Sequence, residues 1–283
     1  MDVTIEVMIA AMHQTDLSII DKCNIQTPCL VINQCDKIDY LEEEREYGRV
    51  RMISSIERGL STSRNIALKN SHADICVICD DDIVYRKGYK DMIYSAFKSI
   101  PDADVIVFNI NSLNPEIRPQ ERLFTKARRI PKYKTYSSVH IAFKRSSIID
   151  HDIRFDKRFG AGSGMYAMGE DSLFFTKIHK AKLKAYTYPA VIADLSSETS
   201  TWFKGYNKKY FYDIGAFLAA AYPHLKELLK FYYPIRFKKL CALSFWEIIT
   251  CINQGINGYK KGLPYSGEIS KGIEGEQKNE TLC

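Results

Sequence analysis

Three adjacent carboxylates, Asp80-Asp81-Asp82, follow the apolar run Ile75-Cys76-Val77-Ile78-Cys79. Like charges this close repel one another unless a cation offsets them. Alternation along an extended chain gives Asp80 and Asp82 a common direction. Hard oxygen donors of this kind suit Mg²⁺ or Mn²⁺, ions that also take water and substrate phosphates. Without its surroundings the same trio reads as a solvated acidic turn. A second acidic pair, Glu170-Asp171, follows Gly169 and precedes a helical pattern. Acids in a first helical turn are favoured by the helix dipole, so the pair is by itself a good helix start. Its functional reading is a general base that deprotonates an acceptor hydroxyl. A third element is Glu57-Arg58-Gly59-Leu60-Ser61-Thr62-Ser63-Arg64-Asn65. Gly59 permits close approach of backbone to a nucleotide, and Arg64 is suited to pairing with metal-site acids or a phosphate. The alternative is a helix start capped by Ser61, with Arg64 on the surface. No Gly-Lys-Ser/Thr follows the glycine, and no G-x-G-x-x-G follows the first strand, so neither phosphate-loop motif is present.

Short apolar runs alternating with helical periodicity must position these groups. Strands are expected at Val3 to Ala10, Cys29 to Asn33, Val50 to Ser54, Asp74 to Cys79, Ala103 to Ile110, Val139 to Lys144 and Ala185 to Ala193. Helices are expected at Leu60 to Lys69, Tyr89 to Ile100 and Glu170 to Lys180. Continuous apolar strands interleaved with helices predict an α/β fold with a mostly parallel sheet covered on both faces. Ligands bind beyond the carboxyl ends of such strands, where Asp80–Asp82 falls. Between Asn111 and Tyr136 the pattern gives way to a basic loop or β-ribbon carrying Arg118, Arg122, Lys126, Arg128, Arg129, Lys132 and Lys134. Of the eight cysteines, Cys76 and Cys79 form a C-x-x-C inside an apolar run, which predicts two small core residues rather than a zinc or redox site.

In order and spacing these pieces resemble the family 2 inverting glycosyltransferases of the GT-A fold. The family string Gly-x-Ser-x-Ala-Arg-Asn-x-Gly reads here Gly59 to Ala67, with Ser63 for alanine and Ala67 for the last glycine. Asp-x-Asp-Asp is matched by Asp80-Asp81-Asp82-Ile83, and Phe-Asp-Glu-Arg-Phe-Gly-x-Gly by Phe155 to Gly162. Gly-Glu-Asp before a helix is Gly169-Glu170-Asp171. The resemblance implies a GT-A catalytic domain over residues 1–215. It places the nucleotide base against Ala10 and Asp36, and puts Gly59, Arg64, Asp80 and Asp81 among the donor-binding residues. It assigns a divalent metal to Asp80 and Asp82, with Asp82 the more direct ligand. Asp171 becomes the catalytic base, and Glu170 positions acceptor or donor. Members often carry a histidine ligand after the last strand; here Ile192 to Ser200 holds none, which leaves the position either to Asp194 as a hard oxygen ligand or to water. The implied reaction moves one sugar from a nucleotide-diphosphate donor, UDP-linked by expectation, to a saccharide or lipid-linked acceptor of bacterial surface polysaccharide. The processive Gln-x-x-Arg-Trp motif is absent.

The remaining sequence reads as a helical appendage at 216–262 and a flexible tail at 263–283. His224 to Lys261 combines Lys226, Lys230, Arg236, Lys238, Lys239, Lys260 and Lys261 with bulky apolar residues, against Glu227 and Glu247. Such a segment predicts peripheral contact with anionic lipid, or else burial of its aromatic groups against the catalytic domain. No nucleic-acid motif accompanies the basic residues, so nucleic acid is not an expected partner. The sequence has no uninterrupted apolar run of about eighteen residues and no secretory signal, so a cytoplasmic, membrane-peripheral setting with free thiols is expected. Two other functions fit parts of the pattern. One is a sugar-1-phosphate nucleotidyltransferase, although its glycine-rich basic loop is missing after the first strand. The other is a non-catalytic glycan-binding or scaffolding member of the same fold.

Overall fold

The computed structural model describes residues 3–113, 122–196, 203 and 205–267. Its contacts divide the chain into two compact units, Met1–Phe203 and Lys204–Cys283. The first unit opens with β1 (Ile5–Met12), α1 (Ser18–Lys22), β2 (Cys29–Gln34), β3 (Asp39–Arg45) and β4 (Gly48–Ser55). α2 (Leu60–Asn70), β5 (Ile75–Asp80), β6 (Ile83–Tyr85), α3 (Tyr89–Ser99) and β7 (Val105–Ser112) follow. Then come β8 (Arg128–Arg129), a 3₁₀ turn at Ser138–His140, β9 (Ile141–Lys144), α4 (Arg145–Asp150), α5 (Glu170–Lys180) and β10 (Ala185–Leu195).

Among the described residues these strands form one sheet in the order β3-β4-β2-β1-β5-β9-β7-β10-β6, with β8 on β10. The expected strands are parallel at its centre, β4-β2-β1-β5, and again at β7-β10. Antiparallel pairings come from β3, β6, β8 and β9, so the sheet is mixed. β3 carries the acid-rich string Asp39-Tyr40-Leu41-Glu42-Glu43-Glu44-Arg45, and Arg49 of β4 lies 3.3 Å from Glu42 across the pair. Alternating residues of the central strands pack opposite faces. Val7, Ile9, Val31 and Val77 meet α1 and α3, while Met8, Leu30, Ile32 and Ile78 meet α2 and α5. Both faces are therefore covered, which is why these strands read as unbroken apolar runs. Cys76 and Cys79 are fully buried on β5, as core residues should be, and burial pushes the Cys76 thiol up to about 12.

One expectation needs correction. β5 ends at Asp80, and Asp81 and Asp82 form the turn into β6, so strand alternation does not extend to Asp82. The turn has its own anchor: Ser196 donates to the Asp82 carbonyl through its backbone N at 2.9 Å and its hydroxyl at 2.8 Å. Within the basic stretch 111–136, Arg118 lies outside the described residues, as do Ser197 to Ser200 after the last strand.

The second unit holds α6 (Lys208–Ala221), α7 (Lys226–Leu229), α8 (Tyr232–Phe237) and α9 (Phe245–Lys261). Its boundary falls ahead of residue 215 because α6 packs along α9, drawing residues 208–215 into the helical unit. The crossing is close. A Cβ added to Gly215 would run into the Ile252 carbonyl, and one added to Gly255 into that of Tyr212. Ser244 and Glu247 close a capping box at the start of α9, with Glu247 Oε2 accepting from Ser244 N at 2.9 Å. Of the expected tail, residues 268–283 lie outside the described residues.

Candidate active site

Strand register assembles the first part of the site. Ala10 lies beside both Asp80 and Ile32, so the ends of β1, β2 and β5 stand level. A nucleotide placed at this edge meets backbone from the first two strands and carboxylate from the third. Asp36, two residues past β2, is 88% exposed and ion-paired with Arg58. Arg58 also donates to the Cys35 carbonyl at 2.7 Å, fixing this corner.

α2 supplies the cationic centre. Ser61, Thr62, Ser63 and Arg64 are all buried, an unusual run of polar residues for a helix interior. Gly59 precedes them at φ +104°, donating its N–H to Gln34 Oε1 at 2.7 Å. The close approach it permits in this structure is to Gly162, whose carbonyl would lie 3.3 Å from an added Cβ. Leu60 N donates to the Ala161 carbonyl at 2.9 Å, and Ser61 Oγ to that of Phe159 at 2.7 Å. Asn65 makes a reciprocal pair with Phe155 backbone, both bonds 2.9 Å. The glycine-rich loop is thus clamped to the head of α2. Phe155, in turn, puts its ring 5.3 Å from the Arg64 guanidinium.

Arg64 joins the two acidic motifs. One terminal nitrogen donates to Asp171 Oδ1 at 2.8 Å, and the other to both Asp80 oxygens, at 2.9 and 3.2 Å. Glu170 Oε1 stands 4.0 Å away. Only 4% of the Arg64 side chain is exposed. Burial opposes its charge, yet Asp80, Asp171 and Glu170 together raise its pKa, so it stays a cation. One cation against three carboxylates leaves the cluster anionic. Burial, with Asp171 beside it, pushes the Glu170 carboxyl up to about 7 against the pull of Arg64. The second Asp171 oxygen accepts from Ser137 Oγ at 2.9 Å.

The remaining acids are placed less uniformly. Asp81 is exposed and Asp82 half-buried in the β5–β6 turn. Asp194 lies on β10 opposite Val84 of β6, which is two residues after Asp82. Arg86 binds it bidentately, at 2.9 and 2.6 Å, and this pairing holds the Asp194 carboxyl below its ordinary value. Among the described residues no three Asp, Glu, His or Cys side chains gather into a ready metal cluster. Asp80 and Asp82 offer hard oxygen donors, the type that suits Mg²⁺ or Mn²⁺ together with water and a diphosphate.

Sequence reasoning singled out Arg64, Asp80, Glu170 and Asp171, and the structure brings all four together. It missed Ser137, Gln34 and Phe155, which hold Asp171, Gly59 and Arg64 in place. Only Phe155 stood inside a motif; the other two contacts carry no signal in the chain itself.

Comparison with known proteins bears on family and fold. Residues 14–159, slightly more than half of the chain, match the family model described as Glycosyl transferase family 2. No curated protein matches the chain. Among solved structures, S. aureus TarS aligns with a TM-score of 0.57 and 14% identity, over 84% of this chain and 44% of TarS. The chain thus spans less than half of that TarS chain. TarS 1-349 in complex with UDP-GlcNAc aligns at 0.58 and 14% identity, covering 99% of this chain and 100% of the other. TarS 1-349 in complex with UDP gives 0.56 and 15%, with 95% of each chain covered. At such identities the likeness is one of fold.

Proposed function

This chain belongs to glycosyl transferase family 2 and is a glycosyltransferase, and from that premise we propose that it transfers a single sugar, with inversion, from a UDP-sugar to a hydroxyl of a saccharide or lipid-linked acceptor. The observation that carries the proposal is Arg64, which ties Asp80 at the strand edge to Asp171 at the head of α5. Donor and base sites are thereby held as one unit. The bound UDP and UDP-GlcNAc of the TarS structures support a uridine donor.

In the proposed reaction Asp171 takes the proton of the acceptor hydroxyl. The hydroxyl oxygen bonds to the anomeric carbon as the bond from that carbon to the donor phosphate oxygen breaks, and the electron pair leaves with UDP. Mn²⁺ or Mg²⁺, bound through Asp82 and Asp80, would neutralise charge on the leaving diphosphate. Asp194 would join that ion only by giving up Arg86. Ala10, Asp36 and Gly59 would border the nucleoside, with Asp81 at the exposed lip of the site. Ser137 and Arg64 hold the two oxygens of Asp171 and so orient the base.

A second assignment has its own support. Glu170, with its carboxyl pushed up to about 7, is better matched to proton transfer near neutrality than an ordinary carboxylate. The pH profile separates the two: a Glu170 base gives activity rising through about pH 7, a protonated Glu170 beside an Asp171 base gives activity falling there.

The proposal extends to location, at the inner face of the cell membrane in surface-polysaccharide assembly. Leu228 and Ile235 are each 71% exposed beside Lys226, Arg236, Lys238 and Lys239, a combination that suits the surface of an anionic bilayer. Among the described residues no helix is long and apolar enough to cross a membrane. Salt-sensitive cosedimentation with anionic vesicles tests this part.

The donor proposal is tested by thermal-shift titration with UDP, GDP, CDP and dTDP, each with Mn²⁺ and with EDTA. A ligand of the folded state raises Tm according to its concentration relative to Kd. Stabilisation by UDP, dependent on metal, is expected. Stabilisation by none of the four removes the donor site as described.

A further inference from the structure

The end of β5 away from Asp80 carries a second constellation. β1 pairs Ile5 with Ile75 and Ala10 with Asp80, and β9 runs antiparallel with Lys144 opposite Ile75. The two ends of β5 are roughly 16 Å apart at the usual strand rise. Beside Ile75 lies a cavity of about 620 Å³, whose lining includes the basic residues His72, Lys98, Lys144 and Arg145 and the aromatic residues Tyr94 and Phe97. Asp74 is the acid in the lining, and its Oδ2 already accepts from Thr4 N and Thr4 Oγ, both at 2.8 Å. Lys98 Nζ stands 6.0 Å from the Tyr94 ring centroid, and Lys144 Nζ donates to the Pro101 carbonyl at 2.8 Å.

Arg145 Nε is buried and has no acceptor among the described residues. Leaving a buried donor unsatisfied is unfavourable, the more so for a charged group. Arg145 lines the cavity with three further basic residues, and this excess of cations over Asp74 points to an anionic acceptor from outside the chain.

We propose that this cavity binds a phosphate-bearing ligand with an aromatic or apolar body, at a site separate from the catalytic cluster. Phosphate oxygens accept from the Arg145 guanidinium and from the ammonium groups of Lys98 and Lys144. The apolar body lies against Tyr94 and Phe97, where burial of its surface adds to the charge-assisted bonds. A soluble aryl phosphate and a lipid phosphate share this chemistry.

Calorimetric titration of the full chain with phenyl phosphate and inorganic phosphate, beside cosedimentation with phosphatidic acid vesicles, tests the site. Phenyl phosphate is expected to bind at least about tenfold more tightly than inorganic phosphate, because only it covers the apolar wall. Lys98→Ala and Arg145→Gln should each weaken binding about tenfold, with the far-UV spectrum unchanged. If vesicles alone bind, and lose binding in both variants, the lipid is the phosphate source and the site stands. Absence of binding by every probe, or binding indifferent to both variants, overturns it. Should Arg145→Gln fail to fold, Lys98→Ala decides, since Lys98 is exposed on α3.

Discussion

Two arginine–carboxylate pairs sit near the carboxyl ends of the strands, and they are built differently. Arg64 is almost wholly buried and shared among three acids, whereas Arg86 is 40% exposed and paired with Asp194. A buried guanidinium among carboxylates is held by geometry and by the penalty for breaking it. A half-exposed pair exchanges partners readily, because water screens the loss. The comparison assigns Arg64 to the permanent frame of the site and Arg86 to its exchangeable rim.

Breaking the buried pair should have the largest effect. Arg64→Ala leaves Asp80, Asp171 and Glu170 facing one another without a cation, and should destabilise the fold by about 3–5 kcal/mol. Urea unfolding followed by circular dichroism measures it. Arg64→Lys should recover only part of the loss, since an ammonium cannot span both acids with a planar fork.

Glu170 gives a smaller effect with a distinctive pH dependence. Its raised pKa favours the protonated form in the folded chain, so its contribution is complete below the ordinary value of 4.5 and is lost as pH rises through about 7. Glu170→Gln should therefore match wild type near pH 4.5 and exceed it at pH 8. A gain on the order of 1 kcal/mol, about 2 °C in Tm, is the expected size by differential scanning calorimetry.

The rim pair should matter least to stability. Arg86→Ala is expected to lower stability by about 0.2–1 kcal/mol at neutral pH. Because Arg86 holds the Asp194 pKa down, that stability is present above the ordinary carboxylate value and disappears as pH falls through the lowered one. The variant also sharpens the comparison. If Asp194 is a latent metal ligand, freeing it should strengthen Mn²⁺-dependent stabilisation of the UDP complex.

Much of this arrangement was legible in the chain because it is written locally. Ile75 to Cys79 announces a strand buried on both faces, and Gly59 to Asn65 announces a helix head. Glu170 begins its helix at the residue expected from the sequence. What escaped was written across distance or against local preference. β3 is nearly all polar, and it becomes a strand through cross-strand pairing of its glutamates with arginines of β4, a signal that apolar periodicity does not carry. The turn at Asp81–Asp82 follows from β6 pairing with β10, over a hundred residues downstream. Ser137 reaches Asp171, and Arg86 reaches Asp194, only after the fold has formed.

The central claim is that Asp171 is the base of a sugar transfer whose donor sits on the Asp80 side of Arg64. Asp171→Asn should be assayed for turnover of UDP-sugars and, in the same preparation, for Mn²⁺-dependent UDP binding. Loss of a positioned general base predicts turnover reduced by about 10²–10⁴, with UDP affinity within a few-fold of wild type. Turnover at the wild-type rate in a variant that still binds UDP would contradict the account and move the base to Glu170.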